Sequence, residues 1–245
     1  MFSALAKTLG QLNDPAFKSV LGRALAVSLA VFVAVWVLAW FGLGLADAAF
    51  QDWLAAQDVE GFWRGVLVWV FEAAFWVSIL FASFLLFPAV ATVAMGFFLE
   101  EIAEAVERKH YPGLPPGRRQ PIREVLGDAV GLAIATIVVN LLALPLYLLL
   151  LFIPPLNLFV FYGINGYLLG REYFELVAVR RLESPAARRL RRRYRGKTFL
   201  AGVIITFLFS IPIVNLLAPI VATGLLVHVF ERLRQSGATA TAEAA

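Results

Sequence analysis

Long uninterrupted apolar segments constrain this chain more than any other feature. Several of them exceed the roughly 18–20 residues that a helix needs to cross a bilayer. Of all residues 61% are hydrophobic and only 16% are charged, whereas a soluble domain is about half apolar and a quarter charged. An open sheet would leave backbone groups unpaired in lipid, and the sequence lacks the short alternating strands of a barrel. The sequence therefore predicts an all-α integral membrane protein.

Two of the apolar segments predict full transmembrane helices, at about residues 20–46 and 66–98. Asp14 and Pro15 are expected to open the first helix, as the N-cap and the first helical residue. The near-helical spacing of apolar residues within 1–17 predicts a short helix lying on the membrane surface. The first span is expected to end at Gly42, Gly44 and Asp47, before an acidic and aromatic outer loop at 47–65. Pro88 is expected to kink the second span, which continues into a charged helical extension.

The distribution of positive charge predicts the orientation. Of the 21 lysines and arginines, all except Arg64 lie in segments proposed to face one side. By the positive-inside rule that side is the cytoplasm, so both termini are expected there, in a bacterial inner membrane. This topology also accounts for the net charge of +4, so no nucleic-acid partner is expected.

Two further apolar regions, at about 125–170 and 198–230, must each enter and return to the same side. They share the pattern I-P-x-x-N-L, at residues 153–158 and 211–216, which favours a duplicated hairpin. The first arm of the second hairpin is shorter than a crossing helix. We therefore expect two re-entrant, hemi-penetrating hairpins, although an ordinary crossing hairpin remains open for the first one.

Re-entrant backbone is tolerated only where protein or water covers it, which predicts a homo-oligomer or a lined cavity. Residues 1–234 are expected to form a single membrane domain, and 235–245 a disordered tail. The small-residue spacings Gly127–Gly131 and Gly166–Gly170 are interpreted as sites of close helix packing.

One group of residues suggests an anion-binding site. The start of the first span combines a helix N-terminus with Lys18, Ser19 and, one turn further on, Arg23. Unpaired N–H groups, the helix dipole and basic side chains together suit a small oxyanion. Basic residues before a first span are also expected from topology alone, so the residues by themselves do not decide between the two interpretations.

The hairpin tips carry proline and asparagine, at Pro154, Asn157, Pro212 and Asn215. Asparagine amides beside such breaks either satisfy freed carbonyls or line a pathway, and both remain open. The basic run at residues 188–195 is most simply a helix that faces anionic membrane lipids, although it could also concentrate an anionic substrate.

Enzyme chemistry has no visible basis in this sequence. Cysteine is absent, which excludes thiolate nucleophiles and thiolate metal sites, and His110 and His228 form no metal-binding spacing. No cofactor or metal is therefore expected. A nucleotide-binding loop of the GxxxxGK[ST] type does not occur either, so any flux would be passive or ion-coupled.

The chain resembles the CysZ sulfate permease family, within the superfamily named for etoposide-induced protein 2.4. The matching pieces are the Pro15 segment and the stretches 87–107, 152–173 and 211–219. The resemblance implies two full spans, two hemi-penetrating hairpins, an oligomer and sulfate entry. It also implies an anion site in a pattern of proline, small residue, apolar residue and two arginines.

That family pattern reads Pro15-Ala16-Phe17-Lys18-Ser19 in this chain. Lysine keeps one charge without the bidentate fork of arginine, and serine removes the second charge. The leading hypothesis is a permease or channel for sulfate or a similar small oxyanion. The alternative is a non-transporting membrane scaffold or stress-related factor that docks lipids or partners.

Overall fold

The structure is a computed structural model that describes residues 1–118 and 120–242. Helices carry most of this part of the chain, which agrees with the predicted all-α class. In chain order they are α1 Phe2–Leu9, α2 Pro15–Ala56, α3 Gly61–Gly96, α4 Leu99–His110, α5 Ile122–Leu149, α6 Pro154–Ala178, α7 Ser184–Arg193, α8 Arg195–Phe209, α9 Pro212–Asn215 and α10 Ala218–Ala242. A 3₁₀ turn, Leu150–Phe152, precedes α6.

Three helices are long and apolar enough to cross a membrane: Pro15–Ala56, Gly61–Gly96 and Ile122–Phe152. The first two are the predicted spans. The third contains the first arm of the first predicted hairpin, which is therefore long enough to cross. In the second predicted hairpin the first arm, α8, has only 15 residues, fewer than the roughly 20 that a crossing requires.

The first span is longer than the sequence predicts. Gly42 and Gly44 lie inside α2, which continues to Ala56, so the predicted loop at 47–65 is mostly helical. A glycine weakens a helix by only about 1 kcal/mol, and Asp47 accepts a hydrogen bond from Gln51 one turn later (2.7 Å). The chain reverses between Ala56 and Gly61, where Gly61 has a φ of 66°.

The chain divides into two compact units, and residues Leu21–Gly96 form one of them. In this unit aromatic rings join α2 to α3, at Phe32–Phe87, Trp36–Trp76 and Phe50–Phe71, with centroids 4.5–5.5 Å apart. Trp36 Nε1 donates a hydrogen bond to Ser83 Oγ at 3.0 Å. Pro88 lies inside α3 without ending it. The unit is thus a helical hairpin whose remaining apolar side chains are largely exposed, as suits contact with lipid.

The other unit comprises Met1–Val20 and Phe97–Ala245, and α10 is its centre. Every residue of α10 from 218 to 231 is buried, against α1, α4, α6 and α8. The amphipathic α1 packs Ala4 and Thr8 inward and leaves Phe2 84% exposed. Helix α10 extends to Ala242, past the start of the predicted tail at Gln235, and residues 243–245 lie outside the described part.

Glycines allow α6 and α8 to touch backbone to backbone. A Cβ atom added at Gly202 would overlap the carbonyl oxygen of Gly166 and lie 2.6 Å from the nitrogen of Gly170. The predicted packing role of Gly166 and Gly170 is therefore confirmed. Among the described residues nothing lies within 4 Å of a Cβ atom added at Gly127 or Gly131, so for this pair the packing role stays a prediction.

Candidate functional site

The predicted anion site begins where Asp14 caps α2. Asp14 Oδ1 accepts the backbone N–H of Ala16 at 3.0 Å, and the Asp14 carbonyl accepts that of Lys18 at 3.1 Å. Gln11, which is buried, holds the other carboxylate oxygen through its Nε2 at 3.2 Å and also donates to the carbonyl of Ala105. Both predictions for this boundary, Asp14 as N-cap and Pro15 as the first residue, are confirmed.

The cap changes what this helix start can offer to an anion. Pro15 has no N–H group, and the N–H groups of Ala16 and Lys18 already have acceptors. Lys18 and Ser19 lie in the first two turns of α2, and Arg23 lies about one turn further along the same helix. All three side chains are exposed. Attraction of an anion here would therefore depend on the side chains more than on the backbone of the helix end.

The two proline-containing breaks have the same local structure. Pro154 and Pro212 each begin a helix, α6 and α9. Three residues later the backbone N–H of Asn157 donates to the carbonyl of Ile153 (3.1 Å), and that of Asn215 donates to the carbonyl of Ile211 (2.7 Å). The two copies of I-P-x-x-N-L thus form the same first helical turn, although α9 ends at Asn215 whereas α6 continues to Ala178.

The side chains of these asparagines do not cap the broken helices. Within the part of the chain that the structure describes, Asn157 Oδ1 and Asn215 Oδ1 are buried and have no hydrogen-bond partner. Asn140 and Asn165, by contrast, donate to the carbonyls one turn before them. The amides at the breaks therefore retain hydrogen-bonding capacity for water or a solute.

Among the residues that the structure describes, the linings of two cavities in the unit around α10 carry no excess of positive charge. One, of about 580 Å³, is lined by three glutamates and two arginines together with the loop after α4. The other, of about 650 Å³, is lined by Arg118, Arg123 and Arg188 and by Glu124, Asp128 and Glu183. Arg118 and Arg188 are already paired, with Glu124 (2.7 Å) and Asp128 (2.9 Å). The described lining residues of these cavities therefore give no charge-based reason to place an oxyanion there.

A buried ion-pair cluster joins α4 to the end of α6. Glu107 Oε2 accepts from Arg180 Nη2 at 3.1 Å and from Arg181 Nη2 at 2.6 Å, and Arg180 Nη1 reaches Glu100 at 2.9 Å. The side chains of Glu107 and Arg180 are each 7% exposed. Sequence reasoning missed this cluster, since the partners are 73 and 74 residues apart and their types are ordinary for a charged loop.

The only two histidines of the sequence meet in the structure. The rings of His110 and His228 are 4.8 Å apart, and the Tyr111 hydroxyl lies 2.9 Å from His228 Nδ1. Burial lowers the pKa of both rings below the ordinary 6.5, and Lys7 lowers each further. Among the described residues no cluster suited to a metal ion occurs. The two rings form a contact between α4 and α10, and their lowered pKa values favour the neutral form at pH 7.

Comparison with known proteins assigns the family. Residues 4–219 match the family model described as sulfate transporter CysZ/etoposide-induced protein 2.4. No curated protein matches the chain. The match covers both predicted spans, the two equivalent breaks and the charged helices between them. This α-helical membrane protein therefore belongs to the family of the sulfate transporter CysZ and etoposide-induced protein 2.4.

Proposed function

We propose that this protein is a passive or ion-coupled permease for sulfate or a similar small oxyanion. The observation that carries the proposal is the family match across residues 4–219. In support of it, the side chains of Lys18 and Ser19 are exposed at the start of α2, where the family resemblance implies an anion motif. A lysine attracts a dianion as a point charge, and a serine hydroxyl adds one neutral donor.

The pathway of the transported solute would pass the two proline-containing breaks, before α6 and before α9. The Oδ1 atoms of Asn157 and Asn215 have no partner among the described residues and could accept a hydrogen bond from water that accompanies the solute. Polar groups on interrupted helices commonly form solute sites in transporters. Arg23, one turn beyond Ser19 on α2, would supply a second cation.

The topology that we propose keeps both termini in the cytoplasm of a bacterium and forms two re-entrant hairpins. The 15-residue α8 supports a partly inserted second hairpin. The glycine contact between α6 and α8 would hold this hairpin against the first one. Covering such hairpins requires neighbouring protein, for which we propose a homo-oligomer.

Uptake of radiolabelled sulfate into liposomes tests this function. We expect saturable uptake above that of empty liposomes, and a loss of at least tenfold for Lys18→Ala, since one desolvated charge contact is worth roughly 1.5–3 kcal/mol. Lys109→Ala is the matched control, because Lys109 is an equally exposed lysine on α4. Correctly inserted protein without any sulfate, thiosulfate or phosphate flux would reject the permease and leave the scaffold alternative.

A further inference from the structure

Helix α7 divides its arginines between two faces. On the inner face, Ser184, Ala187 and Arg191 are buried, and Arg188 pairs with Asp128 at 2.9 Å. Arg191 Nε pairs with Glu175 at 2.9 Å. On the outer face, Arg189, Arg192 and Arg193 are exposed. The spacing of three and four residues places these last three side chains together on the helix surface.

The outer face continues across the junction with α8. Tyr194 separates the two helices, and its ring lies 5.8 Å from the Arg193 guanidinium and 5.4 Å from Lys197 Nζ. Arg195 and Lys197 in the first turn of α8 are also exposed. Tyr194, as the N-cap, makes no side-chain hydrogen bond to the start of α8, so that helix end adds positive potential to the same surface.

Apolar side chains follow these cations within one turn of α8. Phe199 is 42% and Leu200 49% exposed. The order along the surface is therefore a group of cations around an aromatic side chain, followed by exposed apolar residues. This order matches that of the headgroup and acyl layers at a membrane surface. A nucleic acid would have no use for the apolar part of this surface.

We propose that this outer face, Arg189, Arg192, Arg193, Arg195 and Lys197, binds the headgroups of anionic phospholipids. The inner arginines take no part, since Asp128 and Glu175 already neutralise them. Guanidinium groups pair bidentately with phosphodiesters, and each cation near an anionic surface contributes about fivefold in affinity. The inference goes beyond oxyanion transport and stands whether or not the protein moves sulfate.

The test is a titration of the full chain, in uncharged detergent, with phosphatidylglycerol and with phosphatidylcholine, in which native mass spectrometry counts the bound lipid. The outer-face variant is Arg189→Gln/Arg192→Gln/Arg193→Gln. We expect it to bind phosphatidylglycerol roughly 100-fold more weakly at low salt, because three cations are lost. Phosphatidylcholine binding should not change.

Two matched variants complete the experiment. Arg108→Gln/Lys109→Gln/Arg232→Gln removes the same charge from exposed residues outside this face and should retain wild-type binding within about threefold. Arg189→Lys/Arg192→Lys/Arg193→Lys keeps the charge and should retain most of the affinity, which separates loss of binding from misfolding. Wild-type phosphatidylglycerol binding by the outer-face variant, or an equal loss in the control, would overturn the proposal. The proposal would also be overturned if the outer-face variant lost binding of an RNA oligonucleotide but bound phosphatidylglycerol like the wild type.

Discussion

Asn157 and Asn215 occupy equivalent places in two helices that begin with proline. In each, the backbone N–H donates to the carbonyl of the isoleucine before the proline, and the side-chain Oδ1 is buried with no partner in the described chain. A buried acceptor without a partner costs roughly 1–3 kcal/mol. A cost incurred at two equivalent positions favours a functional role over a capping role.

The first prediction concerns these amides. Asn215→Ala should leave the melting temperature unchanged or slightly raised, because no side-chain hydrogen bond to Oδ1 is lost. Sulfate uptake by the same variant should fall, if the amide contacts the solute. Thermal unfolding in detergent and liposome flux measure the two effects. Asn140→Ala is the control, because it removes a hydrogen bond of 2.8 Å from the Asn140 amide to the Thr136 carbonyl. A large loss of stability for Asn215→Ala alone would contradict the prediction, since it would mean that Asn215 Oδ1 accepts a hydrogen bond in the folded protein.

The second prediction concerns the contact of α6 with α8. Gly202→Ala should destabilise the protein by more than about 3 kcal/mol, since the new methyl group meets backbone atoms that cannot move aside. Gly163→Ala is the matched control, because Gly163 lies on α6 with nothing within 4 Å of an added Cβ. It should stabilise the helix by about 0.5–1 kcal/mol. Equal melting temperatures for the two variants would contradict the packing.

The third prediction concerns the cluster between α4 and α6. Glu107→Gln should cost about 3–5 kcal/mol, because Arg180 and Arg181 would keep their charges with one carboxylate fewer. Glu104→Gln, on the exposed face of the same helix, should change stability by less than about 0.5 kcal/mol. Thermal unfolding measures the stability of both variants. An unchanged stability for Glu107→Gln would contradict the prediction and would show that Glu100 alone can balance the charges of the two arginines.

The fourth prediction concerns pH. Burial lowers the pKa of His228 to about 4, so at pH 5 the unfolded chain binds a proton that the folded chain does not. The contribution of neutral His228 to the free energy of unfolding is therefore fully present above about pH 6.5 and is lost as the pH falls toward 4. The pKa of His110 is lowered as well. The charged or titratable groups around His228 are Tyr111 and His110 at the end of α4, Lys7 on α1, and Glu231 and Arg232 on α10.

The check is the melting temperature between pH 5 and pH 7. His228→Asn offers the Tyr111 hydroxyl both a donor and an acceptor but cannot titrate, so its melting temperature should depend less on pH than that of the wild type. An unchanged pH slope would place the titrating group elsewhere. Above pH 7 the melting temperatures of the wild type and the variant should change with pH in parallel.

Local features of this fold could be predicted from the sequence, because their causes are local. Asp14 and Pro15 fix the start of α2, and the two I-P-x-x-N-L patterns mark the breaks before α6 and α9. The end of α2 could not be predicted in this way. Gly42 and Gly44 interrupt a helix in water more readily than in an apolar layer, where the backbone has no other hydrogen-bond partners.

Contacts between distant segments of the chain could not be predicted from the sequence. Nothing in the residue pattern connects His228 with Tyr111, 117 positions away, or distinguishes Arg191, which faces Glu175, from Arg192, which is exposed. The anion-site residues Lys18, Ser19 and Arg23 remain a prediction. Their helix is where the sequence places it, and only a bound solute or a flux measurement decides their role.

The contact between Thr8 and Gly224 also sets an order of events during synthesis. Thr8 on α1 lies where a side chain at position 224 of α10 would be, so the two helices can join only after residue 224 has left the ribosome. The α6–α8 pair, by contrast, is close in sequence and can form early. Until α10 has been made, α1 lacks this partner helix, so the docking step is open to interference by truncation or slow translation.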